Sequence, residues 1–594
     1  MKETTIQMVV TDEDWAQLDI ELHRADYVGL DIETTPVPWY TPEYRLLTIA
    51  FSTEEGHAWV VALDHPQVQD YIAEGRRERL MRLLHSDGQP TYVMQNGAFD
   101  RVALQSQGIY LPPVWFDTMV AQYLLDVELS KGLTDLAHRW LGLPPWKDID
   151  YKHPEDEDLS VLAQLNGRDA DLTLQLRAPL AAALDMAGQS LLFNELMMPV
   201  SKTLCDMELG GIPVDRERLL NLLDDVDSEL DDLLNDIRDI AGKPTLNPNS
   251  PKQLASLLYG DFDLPIHVWT DGGAPSTNAE ALHKLEKEHR IVPPLLKYRE
   301  LRKLYTASLV PWLDKLDDND YLHPRYKPAH VKTGRLSSEM PNIQQVPRDP
   351  KVRQVFGGVG HNLIVEYDYS QLELRIVAWL AGEEEMLRAF RAGEDLHQVT
   401  ADAFGVDRQT AKALNFGLLY GAGARKLKWI AAEQYGVELS EMQADKLRAQ
   451  WFKKYPAIEQ YHESAVLEAR TTGGVTTALG RWRPIPDINS DDWGKKAHAE
   501  RVAINTPVQS LASDLTLIKL DEIARAFPGH SGVRPIATVH DSILFMISDL
   551  ALHLRRPIRD MMEDTSTILD KYDVNFDVPL QVDIKTGTHW GKDV

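Results

Sequence analysis

The chain has 594 residues, 43% hydrophobic and 26% charged, so several folded domains are expected and a mostly disordered chain is excluded. Its 62 basic and 91 acidic residues give a formal net charge of −29, which taken alone argues against a nucleic-acid partner, although a local basic lining can coexist with an acidic exterior. One cysteine, Cys205, excludes an intramolecular disulfide and fits a reducing cytoplasm, and the lack of a long apolar run or cleavable leader disfavours a secreted or membrane protein.

Residues 27–64 alternate β-rich runs with polar turns (YVGLDIET, RLLTIAFST, HAWVVALD), which predicts a hairpin-rich sheet, and TYVMQNG follows at 91–97. Helical patterns come next, around 99–107, 116–126, 131–141 and 158–185. The first 190 residues read as one α/β domain. Asp31 and Glu33 stand two apart on a strand and so share a face. Two carboxylates there repel unless a cation lies between them, and hard oxygen ligands suit Mg2+ or Mn2+. Asp100 closes QNGAFD after the next strand, and Asp169 and Asp171 lie on a helix in NGRDADLTLQL. Asp171 is read as a helix-surface acid.

From 191 to 320 the pattern is helical, with Ser250 as an N-cap before Pro251 and with Lys297, Arg299, Arg302 and Lys303 packed close together. An apolar strand, LIVEY, then runs into Asp368, and Ser370 and Glu373 have capping-box spacing. Helices are expected over 383–470, two more helical stretches flank 500–527, and PIATV and SILFMI form a hairpin around His540 and Asp541. Arg408, Lys412, Phe416 and Tyr420 are four apart, along one slowly drifting helix face. Cations there suit a triphosphate, and a ring suits a base. With this face, the separated Asp368 and Asp541 suit a two-metal nucleotidyl-transfer site.

DYSQLELR, R-x3-K-x3-F-x3-YG and ATVHDSILF closely resemble motifs A, B and C of family A DNA polymerases, those like bacterial DNA polymerase I. The N-terminal acids, with Asn96 four before Asp100, resemble the ribonuclease H-like 3'–5' exonuclease domain that accompanies them. The resemblance runs from about residue 25 to the end. It implies an α/β and α+β multidomain chain in which the exonuclease-like domain (1–190) is followed by a right-hand polymerase. The latter divides into thumb with part of the palm (191–330), palm (331–378), fingers (379–500) and palm (501–594). No 5' nuclease domain is expected at this length, and a stand-alone enzyme of this size suggests a bacteriophage source.

The resemblance also implies residue roles. Asp31, Glu33, Asp100 and Asp169 would hold two metals for excision, and Asp368 and Asp541 two for synthesis, as Mg2+ with Mn2+ able to substitute. Lys412 would be the general acid for departing pyrophosphate. Arg408, Phe416, Tyr420, Gln371 and His397 would join it around the nucleotide, with Glu373 as a steric gate against a 2'-hydroxyl. Gly421 would let the backbone approach the template base. Arg335, Asn342, Gln344, Arg501, Asn505, Gln509 and His540 would touch DNA. Two positions depart from the family. Leu165 stands where the third exonuclease motif has Tyr, which implies either that another group takes over or that excision is slower, and Ser542 stands where the family has Glu after Asp541. Implied partners are primer-template DNA, dNTPs and unidentified replisome proteins, with the chain monomeric, off the membrane and in a bacterial host's cytoplasm. Three rivals remain: a nuclease whose polymerase half only holds DNA, a non-catalytic nucleic-acid-binding protein, and a single-subunit RNA polymerase, which Glu373 and the exonuclease domain disfavour.

Overall fold

The computed structural model describes residues 4–85, 88–144, 153–270 and 272–591. The chain divides into two compact units. The larger holds the chain up to Gly210 with Arg325–Glu339 and Val365–Lys585, and the smaller holds Gly211–Pro324, Met340–Ile364 and the residues from Thr586 onward.

The N-terminal sheet has six strands: β1 (Thr5–Met8), β2 (Tyr27–Thr34), β3 (Leu46–Glu54), β4 (His57–Ala62), β5 (Thr91–Met94) and β6 (Trp115–Asp117). Their order is β1-β4-β3-β2-β5-β6. The expected hairpins form its centre, since β2, β3 and β4 pair antiparallel. β1, β5 and β6 join in parallel, so the sheet is mixed. Parallel neighbours need crossovers, which the helices Asp12–Arg24, Asp70–Leu84 and Gly97–Ser106 provide. Leu46 through Ser52 is buried without a break, as in a strand covered on both faces.

The helix Leu159–Met186 packs on β2, β3 and β4. Gly29 permits this close approach, because a Cβ there would sit 2.1 Å from the Ala170 carbonyl oxygen. The contact brings Asp31, two residues along the strand, toward Asp169 on the helix. Asp171 departs from its expected surface position. It is 1% exposed. Its carboxylate accepts from Thr4 Oγ1 at 2.7 Å, Gly56 N at 3.1 Å and Gln175 Nε2 at 2.8 Å. It ties the helix to β1 and the β3–β4 turn, which helical spacing alone cannot reveal.

A four-stranded sheet has the order Val533–Val539, Ser542–Ser548, Asn362–Tyr369, Val582–Gly587. The first two strands form the expected hairpin, with Val539 opposite Ser542 and His540–Asp541 as its two-residue turn. One 34-residue helix, Trp493–Ala526, replaces the two stretches expected near 500–527, and Pro507 lies buried inside it without ending it. The region 383–470 is helical throughout, as six helices from Glu384–Arg391 to Pro456–Thr472.

In the smaller unit, Asp215 caps the helix Arg216–Ala241, and Ser250 accepts from Gln253 N ahead of Pro251, as expected. Of the basic cluster there, Arg299 is turned inward onto the Thr277 carbonyl, while Lys297, Arg302 and Lys303 are exposed.

Gly29→Ala is expected to cost about 1–3 kcal/mol through overpacking, seen as a lowered thermal midpoint. Gly75→Ala, in an open position of the helix Asp70–Leu84, serves as the comparison and should leave the midpoint unchanged or slightly raised.

Candidate active sites

Asp368 is the penultimate residue of the strand Asn362–Tyr369. Tyr369 N donates to the Asp541 carbonyl at 3.4 Å, so strand pairing sets the two aspartates side by side. Burial raises the proton affinity of Asp368. Lys585 opposes this, and Glu366, Asp541 and Asp583 add to it. Lys585 Nζ lies 2.9 Å from Glu366 Oε2 and 4.0 Å from Asp368 Oδ2. Burial also raises Asp541, with Arg335 opposing. Glu373 is buried and pushed up to about 7, by burial first and then by Asp541. Glu366 and Asp368 thus lie by Lys585, and Glu373 and Asp541 by Arg335.

Glu373 does not form the expected capping box. The helix Leu372–Ala381 starts at Gln371, whose φ of 57° turns the chain through the left-handed region and leaves no side-chain cap bond. Ser370 N donates instead to the Gln581 carbonyl at 2.8 Å, and the Glu373 carboxylate pairs with the Arg335 guanidinium. Arg375, missed by the sequence reading, is 1% exposed. It donates to Ser370 O at 2.9 Å, Pro579 O at 2.6 Å and Gln581 Oε1 at 2.8 Å, clamping the segment after Asp368. Its one sequence signal is a lone Arg in the apolar run LELRIVAWLA. Ser542 has its own use: its hydroxyl donates to Val539 O at 2.9 Å and closes the turn that carries Asp541.

On the helix Arg408–Leu419, Arg408 is exposed and Lys412 and Phe416 are half-buried, while most intervening positions are buried. Tyr420, half-buried, follows as the C-cap. The expected face is therefore the open one. Arg408 pairs with Asp395 at 2.6 Å, and Gln371 Nε2 reaches the same carboxylate at 3.4 Å. Lys412 has no ion-pair partner among the described residues. His397 is turned inward. It is 2% exposed and lies 3.1 Å from Asn415 Nδ2, with its ring 5.4 Å from that of Phe416. Burial pushes its pKa down to about 4, against the pull of Asp395 and helped by Arg408 and Lys412. Asn415, also missed, accepts from Trp451 Nε1 at 2.8 Å and Thr400 Oγ1 at 3.1 Å.

Gly421, at φ 71°, lets the helix end press on the helix Trp493–Ala526, where a Cβ would lie 3.3 Å from Ile504 Cδ1 and 3.9 Å from Arg501 Cγ. Arg501, Asn505 and Gln509 line one face of that helix outside its buried set. His540 is exposed at the hairpin turn with φ 57°. Asn342 and Gln344 lie in the smaller unit, where Asn342 caps a short turn by accepting from Gln344 N at 3.1 Å.

The second carboxylate centre is N-terminal. Asp31 and Glu33 are half-buried on one side of β2, and the buried Leu30 and Ile32 point to the other. Burial holds the Asp31 carboxyl well above its usual range, and Asp100, Asp169 and Glu33 add to this. Asn166 opposes, donating from Nδ2 to Asp31 Oδ2 at 2.7 Å. Asp100 is raised by burial and by Asp117 and Glu33, and its Oδ2 is buried without a hydrogen-bond partner. Asp117, another residue the sequence reading missed, accepts from the backbone N–H of Asn96, Gly97, Met119 and Val120 at 2.8–3.3 Å. It fixes the turn at Asn96, φ 58°, from which the Asp100 helix starts. Among the described residues, no three His, Cys, Asp or Glu side chains are set closely enough to hold a metal as they stand.

His397 gives a pH prediction. Its folded value of about 4 lies below its ordinary 6.5, so unfolding takes up a proton between these limits. Its contribution to stability is complete above pH 6.5 and is lost as pH falls toward 4. The thermal midpoint of His397→Gln should fall less over that range than the parent's. Equal slopes would refute the assignment.

A model of "DNA polymerase family A" matches residues 216–592, and a model of "3'-5' exonuclease" matches residues 6–185. DNA polymerase I of Pseudomonas aeruginosa is 31% identical over 96% of this chain and 64% of its own length. DNA polymerase I of Bacillus subtilis is 32% identical over 82% of this chain and 56% of its own length. The chain thus spans about three-fifths of these curated relatives. The solved POL domain of Pol1 from M. smegmatis, in complex with DNA primer-template and dNTP, superposes with a TM-score of 0.83 at 27% identity, covering 98% of this chain and 99% of that one. No helix among the described residues is long and apolar enough to cross a membrane. With a family model covering well over half of its length, the chain belongs to DNA polymerase family A and carries a 3'–5' exonuclease domain ahead of the polymerase part.

Proposed function

We propose that this chain is a template-directed DNA polymerase that extends a primer 3' end with dNTPs and proofreads through a 3'–5' exonuclease. The observation that carries the reading is the backbone bond from Tyr369 N to the Asp541 carbonyl, which sets Asp368, near the end of its strand, beside Asp541 in the hairpin turn, together with a helix whose open face offers Arg408 and Lys412. We assign the exonuclease to residues 1–190, thumb and part of the palm to 191–330, palm to 331–378 and 501–594, and fingers to 379–500. The partners are primer-template DNA, dNTPs and replisome proteins, and the chain works as a monomer in the bacterial cytoplasm.

Both centres fit divalent cations. Each offers hard carboxylate oxygens whose proton affinity is raised, by burial first and then by neighbouring acids, and Asp100 Oδ2 is left unpartnered. Asp368 and Asp541 would hold two Mg2+ or Mn2+ in the palm, and Asp31, Glu33, Asp100 and Asp169 two in the exonuclease. Such ions, when bound, favour a deprotonated nucleophile and neutralise charge on the phosphates.

The side chains supply the rest. Arg408 exchanges Asp395 for the triphosphate. Lys412, already unpaired, contacts the phosphates and gives a proton to departing pyrophosphate. Phe416 and Tyr420 pack against the sugar and base, and Gln371 orders Asp395 beneath them. Glu373, held by Arg335, blocks a 2'-hydroxyl. His397 supports Phe416 from behind. In the larger unit, Arg335, Arg501, Asn505, Gln509 and His540 touch DNA. Asn342 and Gln344 of the smaller unit are also DNA-binding residues. Leu165 offers no hydroxyl to orient water, so excision is slow.

Primer extension from a mismatched 3' terminus with Mg2+ reads both activities. Asp541→Ala should cut extension at least about 1,000-fold and leave excision intact, whereas Asp31→Ala should abolish excision and leave matched-primer extension intact. Synthesis persisting in Asp541→Ala would overturn the palm assignment. Leu165→Tyr should speed excision several-fold, and an unchanged rate would remove Leu165 as the cause of slow proofreading.

A further inference from the structure

Asn166 lies one residue past Leu165, on the helix turn that carries Asp169. Its side chain is 0% exposed. Its Nδ2 donates to Asp31 Oδ2 at 2.7 Å, and no other donor among the described residues reaches Asp31. Its Oδ1 is buried with no hydrogen-bond partner. A buried amide kept only for stability normally has both ends satisfied. Here the one polar contact is with a carboxylate of the exonuclease centre. Only the NH2 end can donate to that carboxylate, which fixes which way the amide points. The stem is fixed as well. A Cβ on the adjacent Gly167 would stand 2.4 Å from Ile6 Cδ1 and 3.2 Å from Val60 Cγ2, so this turn is pressed onto β1 and β4.

We propose that Asn166 is a positioning residue of the exonuclease. It holds Asp31 by one oxygen, so that the carboxylate presents its other oxygen to a divalent cation in a fixed orientation. The inference rests on the exonuclease reading of the N-terminal domain. Outer partners of this kind orient a ligand before the metal arrives, and their removal typically weakens metal binding about 10–100-fold. Asn166 thus gives the third motif a polar group beside Leu165, acting on the ligand and not on the attacking water.

The test uses the full chain carrying Asp541→Ala, which removes the palm's share of metal binding, and titrates Mn2+ by electron paramagnetic resonance. Asn166→Ala and the volume-keeping Asn166→Leu should each raise the Mn2+ dissociation constant about tenfold or more. Excision of a mismatched 3' end should fall at limiting Mn2+ and recover toward the parent rate at saturating Mn2+. Matched-primer extension, in chains with Asp541 intact, reports folding. Unchanged Mn2+ affinity in both variants, with affinity lost in Asp31→Ala, would overturn the role of Asn166 alone. Loss of matched-primer extension in Asn166→Leu would mark a purely structural residue and overturn it too. Mn2+ binding and excision that both survive Asp31→Ala would instead sink the exonuclease reading.

Discussion

Like charges held together at half-buried positions are the constraint around which the larger unit is built. Two carboxylates about 4 Å apart repel by roughly 4 kcal/mol at an effective dielectric near 20, and burial adds a desolvation cost to each. Backbone and packing must hold such groups, because the side chains would separate by themselves. Around Asp368 and Asp541 this is done by the backbone bond from Tyr369 to Asp541, by the Ser542 bond across the hairpin turn, and by the three bonds of Arg375. In the exonuclease it is done by the glycine contact at Gly29 and the backbone bonds that Asp117 collects.

Under the polymerase reading, the same constraint explains how a chain of net charge −29 can accommodate polyanions. Its cations are placed singly against particular acids. Lys585 faces Glu366 and Asp368, Arg335 faces Glu373, and Arg408 faces Asp395. Each pair holds an electrostatic balance that a metal or a phosphate can replace. A uniformly basic surface would bind polyanions more tightly but would not link nucleotide binding to the state of specific carboxylates.

What was legible in the sequence was mostly local. Two-residue spacing put Asp31 and Glu33 on one face, and four-residue spacing put Arg408, Lys412 and Phe416 on another, because those periods follow from backbone geometry. What failed needed the third dimension. Spacing groups residues by face but does not say which face is buried, so Asp171 read as a surface acid and the burial of His397 went unseen. The Ser370–Glu373 spacing suggested a cap, but the left-handed Gln371 moved the helix start and freed Glu373 for Arg335. Asn166, Asp117, Arg375 and Asn415 act on partners 15 to 206 residues away, and single-sequence patterns carry no record of such pairs.

The helices that carry the nucleotide face show why a buried histidine belongs beside it. Asn415 bonds His397, Thr400 and Trp451, and Thr400 bonds Tyr455, so the helices Leu396–Phe404, Arg408–Leu419 and Glu441–Lys454 share one buried polar network. Breaking any member leaves a buried polar group unpaired, so the three helices favour moving as a block. Within that block His397 is held neutral, so it adds no third positive charge to Arg408 and Lys412. Arg408 is already matched by Asp395, whereas Lys412 has no ion-pair partner among the described residues. Under the polymerase reading, the group asked to give up a proton late in the reaction is therefore one that has no acid to leave before it meets the incoming phosphates.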